Sequence, residues 1–496
     1  MNWLSVEPRS FPAKINSEGD RLSSMSRAKE IAQSWVDGNR SLIVGLSDSI
    51  WEYAELPMRE FKSSRLIAET LEGQGFDVEL GVAGMPTAIE ASWGAGKPVV
   101  AIQGEYDALP ALSQKRSPHK EPVVEGAPGH GCGHNLYGAS GVGGALAVRT
   151  AMEEAGVGGT IKFLGTPAEE QGVGKVFMVR DGCYEGVDAV LGHHIGVVNS
   201  VSLKSSNTLN NVKFVFHGKT SHAGSTPWQG RSALDAVELM NAGVNYMREH
   251  VVPSARIHYV IEEGGGQPNV VPDRAASWYY VRAPTRPVVE EIYAWILEIA
   301  EGAARMTRTR LEVRFQTGIY NKLPNRALAE LVVANMREIG APSYTREELQ
   351  FARQIGEQID PEEKRTSGYA CPGWEELVDV DLNTNIIEPF GEGETVGGST
   401  DTADVSWNAP TAEFNTGSRI LGAPGHSWMV TAVSGTSVGH KNAVFAAKVH
   451  AATALDLMTE PDLLQACWEE FRERTKGRTY SSPLPPDLKP PIYEPK

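Results

Sequence analysis

Three short apolar runs in this chain each end in residues able to do chemistry, and that repetition restricts the fold more than any other feature. Lys97-Pro-Val-Val-Ala-Ile-Gln-Gly104 leads into Glu105-Tyr-Asp107. Gly159-Thr-Ile-Lys-Phe-Leu-Gly165 leads into Thr166-Pro-Ala-Glu169-Glu170. Asp188-Ala-Val-Leu-Gly192 leads into His193-His194. Short apolar runs of this kind read as strands buried on both faces of a parallel sheet. Open α/β sheets keep their sites just beyond the carboxyl ends of such strands. Each feature alone has a bland explanation, a solvated acid pair or a helix cap, more readily for Glu105 than for Asp107. A purely structural account must call all three accidents.

Between the first two runs lies Pro128-Gly-His-Gly-Cys132-Gly-His134-Asn-Leu-Tyr-Gly138. It places a thiol and an imidazole two residues apart among glycines, which let backbone wrap closely around a site. A thiolate and an imidazole at that spacing can bind one metal or bridge two. Taken alone, the stretch could equally be a tight turn with a buried Cys and a surface His.

The chain has 496 residues, which favours two domains over one core. Residues 1–20 carry no periodic pattern and read as a loose arm. Helical patterns cover about 24–47 and 49–73, then 135–152, 327–340 and 441–458. From about Asn207 to Gly318 the character changes: alternating strands and two amphipathic helices follow a β-α-β-β-α-β order, suggesting an inserted α+β unit. The expected layout is a catalytic domain over 1–206 and 319–496, interrupted by a lid or dimerisation domain over 207–318. The fold class is therefore α/β, a mixed-sheet domain with helices on both faces plus a ferredoxin-like insertion. Residues 341–395 read as polar and irregular, and the tail after Lys476 as a Pro-rich segment that wraps or frays.

A formal net charge of -16 argues against nucleic acid and anionic membranes as partners. No apolar run approaches the roughly 20 residues of a membrane span. The N-terminus lacks the basic start and apolar core of a signal peptide. Four cysteines do not make a disulfide framework in a chain this long. A reducing, cytoplasmic setting is expected, with Cys132 free to ligate. No Gly-rich phosphate loop follows a first strand, which disfavours a nucleotide-binding protein.

Cys132, His134, Glu169, Glu170, His194 and His426 form the candidate set, with Glu105 and Asp107 behind them. Such mixed ligands suit Zn²⁺ and tolerate Mn²⁺. One member of an adjacent Glu pair can act as base while the other ligates. Gly104-Glu-Tyr-Asp-Ala-Leu-Pro, Gly131-Cys-Gly-His-Asn and Gly165-Thr-Pro-Ala-Glu-Glu together resemble the dinuclear metallopeptidases and amidohydrolases. That family includes aminoacylases, carboxypeptidase G and auxin-conjugate hydrolases; the p-aminobenzoyl-glutamate hydrolase subgroup is the nearest. The resemblance runs from about residue 25 to 460.

The resemblance implies two divalent ions, Zn or Mn, with Cys132 bridging and His134, Glu170, His194 and His426 as ligands. It makes Glu169 the general base and leaves Asp107 to orient a ligand. His440 is the rival to His426. Where many relatives have His-x-Asp, this chain has Glu105-Tyr-Asp107, so the resemblance assigns no ligand role to position 105. His222, in Ser-His-Ala-Gly, would stabilise the oxyanion from a partner subunit, and Asn269 and Arg282 would hold a substrate carboxylate. The expected activity is hydrolysis of an N-acyl amino acid, above all an aroyl one such as p-aminobenzoyl-glutamate, by a homodimer or higher homo-oligomer. The alternatives are a dipeptidase, an N-acyl-amino-acid deacylase and a non-catalytic binding subunit.

Overall fold

The computed structural model describes residues 26–369 and 371–492. The arm expected over residues 1–20 lies outside the described residues. In chain order the described strands are β1 (Asp77–Leu80), β2 (Ile89–Ala95), β3 (Val99–Gly104), β4 (Gly159–Gly165), β5 (Ala189–Gly196), β6 (Ser200–Val201) and β7 (Ser205–Ser206). They continue with β8 (Thr208–His217), β9 (Arg256–Glu263), β10 (Arg274–Ala283), β11 (Arg310–Ile319), β12 (Thr395–Val396) and β13 (Thr411–Gly417).

Seven strands form the main sheet, in the order β1-β2-β4-β3-β5-β13-β6. β4, β3, β5 and β13 run parallel at its centre; β2 and β6 flank them antiparallel, and β1 pairs antiparallel with β2 at the edge. β3 over Val99–Ile102 and β5 over Ala189–Leu191 are continuously apolar because both faces are covered. Val100, Ile102, Ile161, Phe163 and Leu191 point into one core, and Ala101, Leu164 and Val190 into the other. This is the two-residue period of a strand sandwiched between helical layers. All four parallel strands end on the same side, and the candidate residues follow from those ends.

The helix His134–Ala155 starts at that side and runs down the larger core, buried nearly all round. Its small residues permit close packing. A Cβ on Gly138 would come within 2.9 Å of the Glu105 carbonyl, and one on Gly144 within 2.7 Å of the His450 Cβ. Helix Ser437–Thr459 is the neighbour on its outer side.

The inserted stretch forms a separate antiparallel sheet, in the order β11-β8-β10-β9. Helices Ala233–Met247 and Arg286–Thr307 cover one face, and Val212, Phe214, Val237, Met240, Tyr279 and Ile296 give it a core of its own. β8 and β11 pair side by side, Leu209 against Ile319, so the chain leaves and returns at one place. β9 is an edge strand with Val260 and Ile261 exposed.

Several expected boundaries are corrected. The helix expected over 24–47 breaks at Asn39, giving Arg27–Gly38 and Arg40–Tyr53. The one expected over 49–73 is interrupted around Pro57 and resumes as Phe61–Glu72. Residues 341–395, read as irregular, contain helices Arg346–Gly356, Pro361–Gly368 and Trp374–Leu377. The first is nucleated by a capping box, Thr345 with Glu348. Elements without a counterpart among the expectations include strand β2, the short helices Gly174–Arg180 and Trp428–Ser434, and helix Pro461–Thr475, which Pro461 opens at its first turn. The tail beyond it wraps: Leu484 is buried and Tyr480 donates to Asp404.

Candidate metal centre

The strand ends deliver the candidate residues to one place. Glu105 and Asp107 follow β3. Glu169 and Glu170 open a short 3-10 turn after β4. His193 and His194 lie within β5 itself. His426 is carried by the loop after β13, which is pinned to the Cys132 stretch by its backbone N–H donating to the Gly131 carbonyl at 3.1 Å. Cys132 Sγ lies 3.4 Å from His194 Nε2, and His426 Nε2 lies 3.3 Å from Glu170 Oε2. Ligand atoms of Cys132, His134 and His194, of Cys132, Glu170 and His426, and of Glu105, His134 and Glu169 fall within 4.8 Å of one another.

Alternation on β5 separates its two histidines. His193 is buried against Ser140 and Thr416, with both ring nitrogens engaged at 3.0 and 2.8 Å. His194 faces the other way. Its Nδ1 lies 2.9 Å from the Ile195 carbonyl, so Nδ1–H donates there and Nε2 keeps its lone pair for the cluster. His134 repeats the arrangement: Nδ1 is 2.8 Å from Asp107 Oδ1. Its Nε2 is 3.2 Å from Glu105 Oε2 without hydrogen-bond alignment. Asp107 is fully buried and also accepts from the Glu170 backbone N–H at 3.0 Å, so it orients a histidine and the Glu pair together. A carboxylate behind a ligating histidine fixes its tautomer and raises its basicity.

These donors fit a divalent cation. Two buried atoms, His134 Nε2 and Glu170 Oε1, have no hydrogen-bond partner and both face the cluster. Unpaired buried polar atoms are costly unless something else engages them. The electrostatics agree. Burial pushes the Cys132 thiol up to about 12 and Glu170 up to about 7. Burial raises Glu169 well above the carboxylate range, with Glu105 and Asp401 adding repulsion. Burial lowers His194 and His426. Burial also opposes charge on His134, yet Asp107, Cys132 and Glu105 hold it well above the usual imidazole value. Crowded acids of this kind are relieved by a bound cation, which turns thiol and carboxyl into ligands.

His440 lies elsewhere: its Nε2 is 3.0 Å from Asp48 Oδ1. His222 is exposed on the inserted unit, its Nδ1 accepting from the Gly224 and Ser225 backbone N–H groups at 3.1 Å each. Asn269 is exposed in the neighbouring loop, where its carbonyl accepts from the Ala223 N–H. Arg282 donates to the Gly397 carbonyl at 3.2 Å and lies over Tyr280. None of these three joins the cluster within this chain's described contacts.

The structure also brings in residues that the sequence reading passed over. Tyr137 donates to the Cys132 carbonyl and accepts from the Ile195 N–H, tying the Cys132 stretch to β5. Glu60, fully buried, accepts from the N–H of Ala168, whose positive φ of 56° turns the chain into Glu169. Lys175, Thr400 and Asp401 surround the Glu pair. No local pattern marks them, because Lys175 meets Asp401 from 226 positions away.

Residues 101–357 match Peptidase family M20/M25/M40. The chain is 38% identical to one of the subunits of p-aminobenzoyl-glutamate hydrolase of Escherichia coli, over 92% of this chain and 97% of that protein. It is 28% identical to Xaa-Arg dipeptidase of Mus musculus, over 90% and 92%. Among solved structures, an aminohydrolase from methicillin-resistant Staphylococcus aureus superposes with a TM-score of 0.60 at 19% identity, covering 87% of this chain and 100% of that one. This chain therefore belongs to the M20 peptidase family. It is a metal-dependent hydrolase of the peptidase and amidohydrolase type.

Proposed function

We propose that this protein hydrolyses the amide bond of an N-acyl amino acid, with aroyl-glutamates such as p-aminobenzoyl-glutamate as the first substrates to test. The observation that carries the reading is the different surroundings of the two glutamates. Glu170 has an unpaired oxygen facing the ligand cluster. Its neighbour Glu169 is held by Thr400 at 2.9 Å, with its other oxygen 4.0 Å from His134 Nε2. One carboxylate is thus free to ligate and one to take a proton. The names of the Escherichia coli and mouse relatives support an amide substrate that ends in an amino acid. The mouse name also favours a second reading, dipeptide cleavage on the same machinery.

In this reading Cys132, His134, Glu170, His194 and His426 hold up to two divalent ions, Zn²⁺ or Mn²⁺. When bound, such ions polarise an amide carbonyl and lower the pKa of water to near neutrality. Asp107 keeps His134 in the tautomer that presents Nε2. Glu169 accepts the proton of the attacking water and delivers it to the leaving amine. Residues 207–318 act as a lid and dimerisation unit. His222 donates to the oxyanion, and Asn269 and Arg282 bind the substrate carboxylate once the unit closes or a second chain supplies them. The partner is a second copy of this chain, or a different polypeptide, because the Escherichia coli relative is itself one of two differently named subunits. A cytoplasmic setting is consistent with four unpaired cysteines. No helix among the described residues is long and apolar enough to cross a membrane.

The test is a hydrolysis screen of N-acyl amino acids, aroyl-glutamates and dipeptides with metal-reconstituted protein. Cleavage of aroyl-glutamate that a chelator abolishes is expected. Preference for dipeptides selects the second reading. No cleavage of any class by fully metallated protein rejects both.

A further inference from the structure

Lys175 is fully buried, with its ammonium 2.7 Å from Glu105 Oε1 and 2.7 Å from Asp401 Oδ1. Its backbone N–H donates to the other Asp401 oxygen at 2.9 Å. Desolvating an ammonium and two carboxylates costs several kcal/mol per ion, and apolar packing often serves stability as well. The arrangement therefore calls for a reason beyond stability, and both its ends reach the candidate metal centre. Glu105, held through Oε1, turns Oε2 toward His134 Nε2 at 3.2 Å. Asp401 anchors the segment whose preceding residue, Thr400, donates to Glu169 Oε1.

We infer that Lys175 is a positioning residue: a fixed internal cation that orients the base Glu169 through Asp401 and Thr400 and holds Glu105 in place against His134. The inference rests on the hydrolase reading above. Glu105, Glu169 and Asp401 are three acids crowded around the Lys175 ammonium. Bound to Asp401 by backbone and side chain together, it sets the height of the 400–401 turn over the Glu pair. Thr400 then takes one oxygen of Glu169 and leaves the other facing the centre. The departure from His-x-Asp at position 105 gains a purpose: a glutamate there can bind Lys175 with one oxygen and face the histidine with the other.

The experiment compares full-length wild type with Lys175→Met and Thr400→Val, both loaded with Zn²⁺. Metal per chain is measured by elemental analysis, folding by circular dichroism, and kcat and KM on the best substrate of the screen. Thr400→Val should lose about tenfold in kcat, the kinetic equivalent of one hydrogen bond to a charged group. Lys175→Met should lose about 100-fold or more, as expected when a reacting group is displaced by about 1 Å. Both should keep metal per chain and KM near wild type, a split that a merely structural role does not produce. A folded Lys175→Met that loses less than tenfold, or only in proportion to lost metal, overturns the inference. Should that variant not fold, Thr400→Val decides, and an unchanged kcat overturns it. If the wild type cleaves nothing, the hydrolase reading fails separately. Crystal structures then judge Lys175: Glu169 still bonded to Thr400 in Lys175→Met overturns the inference, and a displaced Glu169 supports it.

Discussion

His134 and His222 lie in opposite circumstances. His134 is completely buried, with one nitrogen on Asp107 and the other facing Glu105 and the Glu pair. His222 is exposed on the inserted unit, bonded only to amides of its own turn. The first belongs to a cluster gathered within one chain from strand ends, the Cys132 stretch and the loop that carries His426. The second lies in a loop outside the cluster, so under the proposed function it would reach the site only by closure or from another chain. The two settings differ in the freedom they allow: exposed loops can move, whereas residues wedged into a common core cannot.

The largest effect expected tests the buried side. Glu169→Gln should keep metal and fold but lose turnover by about three orders of magnitude, the upper range for general-base catalysis. Glu170→Gln should lose metal instead. Elemental analysis beside kinetics separates them; loss of metal from both variants, or from neither, would show that the two residues share one role.

The next effect tests the exposed side. His222→Ala should leave metal content unchanged and cut kcat by about 100-fold, as for removal of one oxyanion donor. Mixing sharpens the contrast. Chains of His222→Ala and Glu169→Gln, each nearly inactive, should regain activity on subunit exchange if His222 acts across an interface. Exchange verified without any recovery would confine His222 to its own chain, and a fully active monomer would remove the argument for a partner.

A smaller effect probes the support behind the cluster. Asp107→Asn should weaken metal binding about 10- to 100-fold, as for other carboxylates behind a ligating histidine. Chelator competition measures it. An unchanged affinity would mean that the backbone alone orients His134.

The contrast also explains what was legible in the sequence. The strand-end acids and the Cys-Gly-His stretch were readable because each is local: an apolar run, then chemistry. The resemblance already favours His194 over His193, and the pleat adds the physical reason, since it sends neighbours to opposite faces. Lys175 and Asp401 were invisible because they are 226 positions apart and acquire meaning only where Gly174–Arg180 packs against the turn at 400–401. Strand β2 was missed because it is antiparallel and half-exposed, with Gly94 and Ala95 at its end in place of a β-branched run. The helices within 341–395 were masked by charge, although the Thr345 and Glu348 capping box was there to be read.

The smallest effect separates placement from motif. His426 and His440 both belong to Gly-His dipeptides in the same part of the main unit, so sequence alone leaves them rivals. The fold gives them different neighbours. His426 faces Glu170, whereas His440 faces Asp48, which also holds Arg116 at 2.6 Å. His426→Ala should therefore lower metal occupancy, measured per chain by elemental analysis. His440→Ala should leave occupancy and kcat unchanged and cost about 1 kcal/mol of stability or less, the worth of one partly exposed polar contact. The comparison between cluster and insertion gains from this pair because both histidines share one unit. If His440→Ala removes metal and His426→Ala does not, the ligand assignment moves to His440. The loop after β13 would then have no part in the centre, and the rigid cluster would be smaller than the strand ends suggest.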